Sequence, residues 1–414
     1  MKKRNIVLIL LMVVGVITFL DRINISVAGA SIMEDLDLTG KQWGWVLSAF
    51  ILSYGLLQVP LGAWGDRSGQ RKVLSVIVLW WSLFTILTGF SNGFVMLLII
   101  RFLFGIGEAG AYPNMTGTVG RWFPRKETAR AQGYLWAASR IGGALTPLIV
   151  VPVIIHLGWR VAFYILGGMG FIWVLVWFTW FRNFPSQKKG IARDELAEIG
   201  HREEYTKKVI IPWKIILRRN QFWILLAMYW FYAWGSWFFF SWFPVFMEEG
   251  RGFSKSELTY AVAVPFLFSV IGNISGGYIS DRLTLKYGLN IGRKAVGISA
   301  LALSSVLMFL AGFIPGKLQV FIFLSFCFGI FDLMLPAAWA ICLDIGKKYG
   351  GAISGAMNTA GNIGGFVCAI SFGYLVDLTG NYNFPLYLIS AMLLLSALMF
   401  FFINPSKKLV EDGE

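Results

Sequence analysis

A short polar stretch between two apolar segments decides the fold: Gly62-Ala63-Trp64-Gly65-Asp66-Arg67-Ser68-Gly69-Gln70-Arg71-Lys72. A shorter version of it recurs 215 residues further along the chain, from 62 to 277, as Gly277-Tyr278-Ile279-Ser280-Asp281-Arg282. Two further pairs of segments repeat in the same order at offsets of 224 and 222 residues, namely Phe104–Glu108 with Phe328–Asp332 and Arg140–Gly143 with Asn362–Gly365. Three ordered matches with nearly constant offset indicate an internal duplication. The chain is therefore predicted to consist of two similar halves.

The composition places these halves in a membrane. Of the 414 residues, 57% are hydrophobic and only 14% are charged, whereas ordinary globular chains are about 45–50% apolar. A bilayer core of about 30 Å needs roughly 20 apolar residues per helix. The sequence contains twelve such blocks: Ile6–Ala28, Trp43–Ala63, Val73–Phe90, Phe94–Val119, Ala131–Ile155, Val161–Phe181, Phe222–Met247, Leu258–Ser280, Ala295–Phe313, Leu318–Leu343, Ala352–Val376 and Phe384–Ile403.

These blocks predict an all-α membrane protein with twelve transmembrane helices in two pseudo-symmetric six-helix bundles. The longest polar stretch separates the sixth block from the seventh and contains ten Lys and Arg residues. We therefore expect an N-terminal bundle over residues 1–181, a cytoplasmic linker over 182–219, with a surface helix over 191–205, and a C-terminal bundle over 220–414.

The distribution of positive charge predicts the topology. The net charge is +14, with 36 Lys and Arg residues. If the N-terminus is cytoplasmic, all but eight of these residues lie in cytoplasmic segments. Five of the eight lie in external loops: Lys41, Arg160, Arg251, Lys255 and Lys317. The other three lie in helices: Arg22, Arg101 and Arg140. Short loops rich in Lys and Arg mark the cytoplasmic side. Both termini are thus predicted to be cytoplasmic, and the basic charge does not indicate nucleic-acid binding.

Cysteine and histidine usage argues against a metal or disulfide framework. The three cysteines, Cys327, Cys342 and Cys368, all lie in apolar blocks and form no CxxC pair. Only two histidines are present, so we expect no metal and no cofactor. The first apolar block resembles a signal peptide, but Asp21, Arg22 and Asn24 interrupt it, and a retained first helix is the preferred interpretation.

Five charged residues lie well inside predicted spans of the first half: Asp21, Arg22, Arg101, Glu108 and Arg140. A charge at the bilayer centre costs about 2.5–3.5 kcal/mol on insertion scales, so such residues are candidates for function. Three arginines against two carboxylates leave one positive charge, which favours an anionic ligand. The alternative is internal charge pairing that only fixes helix packing.

Helical spacing predicts that several of these side chains share one site. Arg101 and Glu108 are seven residues apart, which places them on one helix face about 10 Å apart along the axis. Tyr54 and Gln58, four residues apart on the second helix, are expected to project towards the same cavity. Arginine suits a carboxylate ligand because its planar fork forms two parallel hydrogen bonds.

The second half offers aromatic and amide groups. The seventh block is rich in Trp and Tyr, and the eleventh presents an Asn-containing polar stripe. Hydroxyl-rich ligands bind such surfaces, and Tyr229, Tyr232 and Asn358 are the candidates here. Lipid-facing packing for the aromatic residues, and interhelical hydrogen bonding for the asparagines, are the competing interpretations.

The loop Gly62–Lys72 resembles the G-x-x-x-D-R-x-G-x-R-K signature of the major facilitator superfamily, with Gly277–Arg282 as its degenerate second copy. The resemblance implies the major facilitator fold and a gating role for the charged residues of both copies: Asp66, Arg67, Arg71, Asp281 and Arg282. In that role, Asp66 and Arg67 would take part in a conformation-sensitive salt bridge between helices. A plain positive-inside loop is the alternative.

A narrower resemblance rests on Phe19–Asn24 and Arg101–Pro113, which are similar to the anion:cation symporter family. That family includes bacterial sugar-acid/proton symporters and the sialic acid and vesicular glutamate carriers. The similarity implies that Arg22 and Arg101 bind substrate, that Glu108 senses the proton, and that Asp21 is an acidic partner. Arg140 departs from the neutral polar residue common in sugar-acid carriers.

The sequence therefore predicts a secondary transporter and not an enzyme, since it contains no GxSxG, HExxH or phosphate-binding glycine loop. The expected function is proton-coupled symport of a small organic anion, namely a sugar acid (aldonate, hexuronate or aldarate), by a monomer in the bacterial inner membrane. The alternative is an exchanger or exporter of another carboxylate, aromatic acid or organophosphate. A membrane sensor without transport, or a membrane enzyme, is a third class.

Overall fold

All regular structure in residues 2–200 and 210–410, the part of the chain that the computed structural model describes, is helical. The helices are α1 Lys3–Val27, α2 Gly29–Asp35, α3 Gly40–Ser68, α4 Gln70–Gly89, α5 Phe94–Glu108, α6 Ala111–Trp122, α7 Thr128–Leu157, α8 Trp159–Trp180, α9 Arg193–Ile199, α10 Trp213–Ile216, α11 Asn220–Trp237, α12 Phe243–Glu248, α13 Lys255–Ala311, α14 Lys317–Asp332, α15 Leu335–Gly346, α16 Gly350–Thr379 and α17 Phe384–Phe402.

Within these ranges, nine helical stretches are long and apolar enough to cross a membrane. Two of the nine, Ala263–Ala311 and Lys317–Val376, contain 49 and 60 residues, more than the roughly 20 that one crossing requires. The first is interrupted at Gly288, whose φ of 84° and ψ of 167° are not helical. The chain is thus an integral membrane protein with an all-helical fold.

Two predicted blocks are each broken into two helices directly after an acidic residue. α5 ends at Glu108 and α6 begins at Ala111, while α14 ends at Asp332 and α15 begins at Leu335. Pro113 and Pro336 occupy the first turns of α6 and α15. Proline lacks an N–H and clashes with the carbonyl four residues earlier, so the preceding helix cannot continue unchanged. The breaks place both carboxyl groups at helix ends.

The chain divides into two compact units. Unit 1 comprises residues 1–125, 138–211 and 347–355, and unit 2 comprises 126–137, 212–346 and 356–414. In unit 1, α4 packs against α8 and α5, and α3 packs against α5. In unit 2, α13 packs against α14 and α17, and α11 packs against α17. Each unit therefore contains its own set of packed membrane helices.

Small residues let these helices approach closely. A Cβ on Gly105 of α5 would lie 2.7 Å from the carbonyl oxygen of Phe50 on α3. In unit 2, a Cβ on Gly272 of α13 would lie 2.0 Å from the carbonyl oxygen of Gly329 on α14. Glycine at such crossings is typical of membrane helix packing, because close contact replaces the hydrophobic driving force that lipid does not supply.

The polar segment between α8 and α11 is only partly helical. α9 covers Arg193–Ile199, which is shorter than the surface helix predicted over 191–205, and residues 201–205 of that prediction lie outside the described ranges. Glu195 accepts hydrogen bonds from the backbone N–H groups of Lys3 and Arg4 at 3.0 and 2.8 Å. Since these N–H groups belong to the first turn of α1, Glu195 satisfies donors that the helix itself leaves unpaired.

Candidate functional site

The centre of the candidate site in unit 1 is an ion pair between α1 and α5. Arg22 donates from Nε and Nη2 to Oε1 of Glu108, at 3.0 and 2.8 Å. The Glu108 side chain is 1% exposed, whereas that of Arg22 is 25% exposed. The second carboxylate oxygen, Oε2, accepts no hydrogen bond within the described residues. Thus Arg22 is the accessible member of a pair whose acid is enclosed.

Aromatic rings line the Arg22 guanidinium. Its carbon atom Cζ lies 4.6 Å from the ring centre of Tyr54, 5.3 Å from that of Phe19 and 5.6 Å from that of Phe50. Tyr54 was predicted, and it is 4% exposed. The two phenylalanines were not predicted, although each lies one helical turn from a predicted residue. Ring faces carry negative potential that attracts a guanidinium, so the three rings hold Arg22 in place.

Arg101 lies in the same helix as Glu108, as predicted, and is 1% exposed. Its Cζ is 4.4 Å from the ring centre of Phe104 and 5.3 Å from that of Phe50. Phe50 is therefore shared by Arg101 and Arg22. Across the described residues, Nε of Arg101 has no hydrogen-bond partner. A buried guanidinium held by ring faces retains donors for a ligand.

Asp21 is not the partner of Arg22, although the two are adjacent in sequence. Asp21 is 1% exposed, and neither of its carboxylate oxygens accepts a hydrogen bond from any residue that the structure describes. Asn24, one turn further along α1, is fully buried and makes no side-chain hydrogen bond in the same part of the chain. Buried polar groups usually have partners, so this part of α1 carries unused hydrogen-bonding capacity.

Two further polar residues of unit 1, Arg140 and Tyr112, lie near the Phe19 ring. Arg140 is 2% exposed, and its Cζ lies 6.0 Å from the ring centre of Phe19, which also faces Arg22. The Tyr112 hydroxyl donates to Ser139 Oγ at 2.8 Å, and its ring meets that of Phe19 edge to face at 6.5 Å. Tyr112 was not predicted as a site residue, although it lies four positions after Glu108 in the sequence.

Gln58 is fully buried on α3, one turn beyond Tyr54. A Cβ on Gly355 would lie 2.7 Å from the Gln58 carbonyl oxygen, so its backbone is closely packed within unit 1. The predicted pair Tyr54 and Gln58 thus shares one helix. Of this pair, Tyr54 lies against the Arg22 guanidinium, at 4.6 Å from its ring centre to Cζ.

In unit 2, Asp332 organises a buried hydrogen-bond network. Its Oδ1 accepts from the Tyr232 hydroxyl at 3.2 Å, and its Oδ2 accepts from Asn273 Nδ2 at 3.0 Å and from the Ser269 hydroxyl. Asp332 is fully buried. Its sequence position corresponds to Glu108, and these three partners are neutral donors.

The predicted tyrosines of α11 stack on each other. The ring centres of Tyr229 and Tyr232 are 4.9 Å apart, and Tyr232 also stacks on Phe331 at 4.5 Å. The Tyr229 hydroxyl accepts a hydrogen bond from Trp339 Nε1 at 3.1 Å. Both tyrosines are buried, which argues against the lipid-facing interpretation. Asn358 lies on α16, and its carbonyl accepts from Asn362 Nδ2 at 2.8 Å.

The acids of the two loop motifs each bind the first turn of a helix. Asp66 accepts from the backbone N–H groups of Gly351 and Ala352 at 3.3 and 2.8 Å, within unit 1. Asp281 accepts from those of Ala129 and Arg130 at 3.2 and 2.7 Å, within unit 2. The residues contacted open α16 and α7. The helix N-terminus carries partial positive charge and unpaired donors, which favour a carboxylate.

Asp281 also belongs to a buried charge network that sequence reasoning missed. Arg293, fully buried, donates to Asp281 Oδ1 at 2.7 Å, to Asp344 Oδ2 at 3.1 Å and to Thr128 Oγ1 at 2.8 Å. The sequence positions of Arg293 and Asp344 could have indicated this network, because both are charged residues at block boundaries. The network joins the motif acid to α15 and to the start of α7.

The predicted gating arginines occupy different surroundings. Arg67 and Arg282 are exposed and form no ion pair with any residue in the described ranges. In this structure Asp66 instead accepts hydrogen bonds from backbone N–H groups, and the conformation-sensitive salt bridge expected for Asp66 and Arg67 stays a prediction. Arg71 donates from Nε and Nη2 to the carbonyl oxygen of Phe178, at 2.9 and 2.6 Å.

Among the described residues, no group of three or more His, Cys, Asp or Glu side chains is placed to hold a metal ion. The three cysteines are buried and unpaired with one another. The polar groups described above instead present guanidinium, carboxyl, hydroxyl and amide groups. Such a set can bind an anion and exchange a proton, but it contains no nucleophile activated by a neighbouring base.

Comparison with known proteins places the chain in a family. The model of the Major Facilitator Superfamily matches residues 11–369. A probable sulfoacetate transporter of Cupriavidus necator is 37% identical, with 98% of this chain and 94% of that protein covered. The hexuronate transporter of Bacillus subtilis is 30% identical, with 91% and 89% covered.

A solved transporter structure shares the fold. The crystal structure of the Escherichia coli fucose:proton symporter (variant N162A) superposes with a TM-score of 0.74 at 12% identity, covering 97% of this chain and all of that one. The resemblance seen in the loop motif and in helices one and four is thereby confirmed, and the chain is a transporter rather than an enzyme. This protein belongs to the major facilitator superfamily.

Proposed function

We propose that this protein is a secondary active transporter that takes up a small organic anion together with a proton. The observation that carries the proposal is the Arg22–Glu108 pair, in which a partly accessible guanidinium is bound to an enclosed carboxylate. One side chain is suited to an anion and the other to a proton. Because these two side chains are bound to each other, the anion and the proton would act on the same interaction.

The anion would bind at the arginines of unit 1. Arg22 and Arg101 share the Phe50 ring, at 5.6 and 5.3 Å, so both guanidinium groups lie around one aromatic side chain. A substrate carboxylate would replace Glu108 as the acceptor of the Arg22 hydrogen bonds, with Arg101 supplying a second set of donors. Tyr54 would form one wall of the site. Gln58 and Arg140 are proposed as further contacts.

The proton would bind to Glu108. When a substrate carboxylate engages Arg22, Glu108 loses the positive charge that balances its own and takes up a proton more readily. When substrate leaves, Arg22 returns and the proton is released. Asp21 is the second proposed proton carrier, since its carboxylate is buried and accepts no hydrogen bond within the described residues.

The preferred substrate class is a sugar acid, namely an aldonate, hexuronate or aldarate. Support comes from the curated relative that is named a hexuronate transporter. Tyr229, Tyr232 and Asn358 of unit 2 are proposed to contact the hydroxyl-bearing part of the substrate. Buried aromatic and amide groups of this kind suit a polyhydroxylated chain better than a purely apolar ligand.

A second candidate substrate is a short anion with two acidic groups, such as a sulfonated carboxylate. One relative is named a probable sulfoacetate transporter. The Phe19 ring has Arg22 at 5.3 Å on α1 and Arg140 at 6.0 Å on α7. Arg140 offers a dianion a further positive group beside Arg22 and Arg101. In this alternative the protein transports another carboxylate, by exchange, export or uptake.

The proposed architecture is that of two six-helix bundles, over residues 1–181 and 220–414, joined by a cytoplasmic linker over 182–219. Twelve crossings would place both termini in the cytoplasm, in agreement with the positive charge of the predicted inner loops. The functional unit would be a monomer in the bacterial inner membrane. Transport would proceed by alternating access.

Asp66 and Asp281 are proposed to control that alternation. Each carboxylate binds the first turn of a helix through two N–H groups, and such bonds can be made in one state and broken in another. The neighbouring basic residues Arg67, Arg71 and Arg282 would stabilise the loops in the alternate state or on the membrane surface.

A two-step experiment tests the proposal. Purified protein is first screened by thermal shift against gluconate, galactonate, glucuronate, galactarate and sulfoacetate, because a ligand that binds the folded state raises the melting temperature. The strongest ligand is then offered to proteoliposomes with and without an inward proton gradient. We expect accumulation only with the gradient. Equal accumulation without a gradient would exclude proton coupling, and no stabilising ligand among these acids would exclude the substrate class.

A further inference from the structure

Three basic side chains surround the carboxyl end of α8 in unit 1. Arg71 donates to the carbonyl of residue 178 at 2.9 and 2.6 Å. Arg182 donates from Nη1 to the carbonyls of residues 179 and 181 at 2.9 and 2.8 Å. Lys188 donates to the carbonyl of residue 180 at 2.5 Å. We call Arg71, Arg182 and Lys188 the α8 basic cluster.

The cluster has an evident structural role, because a helix leaves its last carbonyl groups unpaired and its carboxyl end carries partial negative charge. That role does not use all of its donors. A guanidinium has five N–H groups and an ammonium has three. Arg182 uses Nη1 alone, and Lys188 makes one hydrogen bond, within the part of the chain that the structure describes.

No acid in the described part of the chain balances the positive charge of the cluster. None of its three members forms an ion pair with an acidic residue in the described ranges. Two of the three acids of α9 are engaged elsewhere, because Glu198 binds Lys2 and Arg4 while Glu195 binds the first turn of α1. Partial burial, followed by the positive charges of Arg182 and Lys3, lowers the pKa of Lys188. The surface therefore favours an added negative charge.

The exposed surface of α8 next to this cluster is apolar. α8 exposes large apolar side chains along its length, including Ile172 at 67%, Leu175 at 68% and Phe178 at 49%. In a membrane-spanning helix such a face contacts acyl chains. At its end, Arg71 lies 4.5 Å above the Phe178 ring and Lys188 lies 3.8 Å above the Trp180 ring. Tryptophan at this position is typical of the membrane–water interface.

We propose that the α8 basic cluster binds the phosphate group of an anionic phospholipid whose acyl chains lie along the exposed face of α8. The cluster supplies charge and free N–H donors, and the adjoining helix supplies the apolar surface. Arginine and lysine at the end of a membrane helix are suited to lipid phosphate. The site is separate from the Arg22–Glu108 pair and does not depend on the transported substrate.

Native mass spectrometry of the delipidated full-length protein, titrated with phosphatidylglycerol, tests the proposal. Loss of one interfacial cation should weaken binding roughly fivefold, and the double variant Arg182→Gln, Lys188→Gln roughly 25-fold. Lys189→Gln is the matched control, since Lys189 is adjacent to the cluster and exposed, and the substitution removes the same charge. It should bind phosphatidylglycerol like the wild type. The charge-conserving variant Arg182→Lys, Lys188→Arg should retain most of the affinity, even if its melting temperature falls.

Three results would overturn the proposal. The first is equal weakening by Lys189→Gln, which would mean diffuse attraction rather than a site. The second is equal binding of phosphatidylcholine by the wild type, which would mean that net lipid charge is irrelevant. The third is full displacement of phosphatidylglycerol by millimolar inorganic phosphate, which would assign the cluster to a soluble anion.

Discussion

Arg22 directs two hydrogen bonds to a single oxygen of Glu108, at 3.0 and 2.8 Å, and leaves the other oxygen of that carboxylate without a partner in the described residues. The interaction joins α1 to α5 across 86 positions of sequence. It is asymmetric in access, since the acid is enclosed and the base is partly open. A ligand that approaches this pair meets the guanidinium before the carboxylate.

Glu108→Gln should separate binding from coupling. Glutamine keeps the size and one acceptor oxygen, so packing and hydrogen bonding to Arg22 should change little, but it cannot release a proton. The variant should retain substrate binding and counterflow of labelled substrate, and lose accumulation driven by an imposed pH gradient in proteoliposomes.

Asp21→Asn is the control for that experiment. Loss of driven accumulation in both variants would mean that two carboxylates share the proton. Loss in Asp21→Asn alone, with wild-type accumulation by Glu108→Gln, would transfer the role to Asp21.

Arg22→Ala and Arg101→Ala should each abolish measurable substrate binding. Truncating one partner of a buried charge-assisted pair costs about 2–5 kcal/mol, or roughly 30-fold or more in affinity. Isothermal titration with the strongest ligand of the screen measures the loss. Arg193→Ala, at an exposed position in α9, should bind normally. Normal binding by either buried-arginine variant would make that arginine structural.

Asp66→Asn should shift the balance between inward- and outward-facing states. Asparagine retains one acceptor oxygen and loses the negative charge, so the bonds from Gly351 and Ala352 weaken. Labelling of engineered cysteines on the two membrane faces should change in opposite directions. Ligand affinity measured in detergent should change by less than about tenfold, which corresponds to 1.4 kcal/mol.

Arg67→Gln is the companion variant in the same motif. Because Arg67 is exposed and unpaired with any described acid, its substitution should shift cysteine labelling less than Asp66→Asn does. Unchanged labelling by Asp66→Asn on both faces would count against gating by the loop motif.

Asp332→Ala should destabilise the protein. The substitution removes the carboxylate that accepts hydrogen bonds from Tyr232, Ser269 and Asn273, and losing the partner of a buried polar group costs about 1–3 kcal/mol. A lower melting temperature is expected, with weaker binding if Tyr232 contacts substrate. Ser325→Ala on the same helix is the control, because within the described ranges that hydroxyl bonds only its own helix, to the carbonyl of Phe321 at 2.8 Å. A wild-type melting temperature for Asp332→Ala would show that the network adds no stability.

Reporter fusions test the predicted topology. A reporter placed after Lys189 and another placed after Lys408 should both indicate a cytoplasmic location. An external signal at both positions would reverse the orientation, and different signals would exclude an even number of crossings between them.

The sequence by itself determined the membrane location, the duplication and the charged residues worth attention. Apolar blocks of about 20 residues have few alternatives to spanning helices, because a bilayer cannot satisfy exposed backbone groups. The loop motif around Asp66 is specific enough to indicate the superfamily from the order of its residues alone. The positions of Arg22, Arg101 and Glu108 inside apolar blocks predicted the candidate site, since charges are rare there.

Only the tertiary structure decided which of these charges meet. Asp21 and Arg22 are adjacent, but successive residues of a helix point about 100° apart, so neighbours in sequence face different surroundings. Arg22 therefore reaches Glu108 on another helix, while Asp21 finds no donor in the described part of the chain. The backbone partners of Asp66 lie 285 and 286 residues away. Local periodicity fixes the face of a helix on which a side chain lies, but the packing of separate helices fixes what that face contacts.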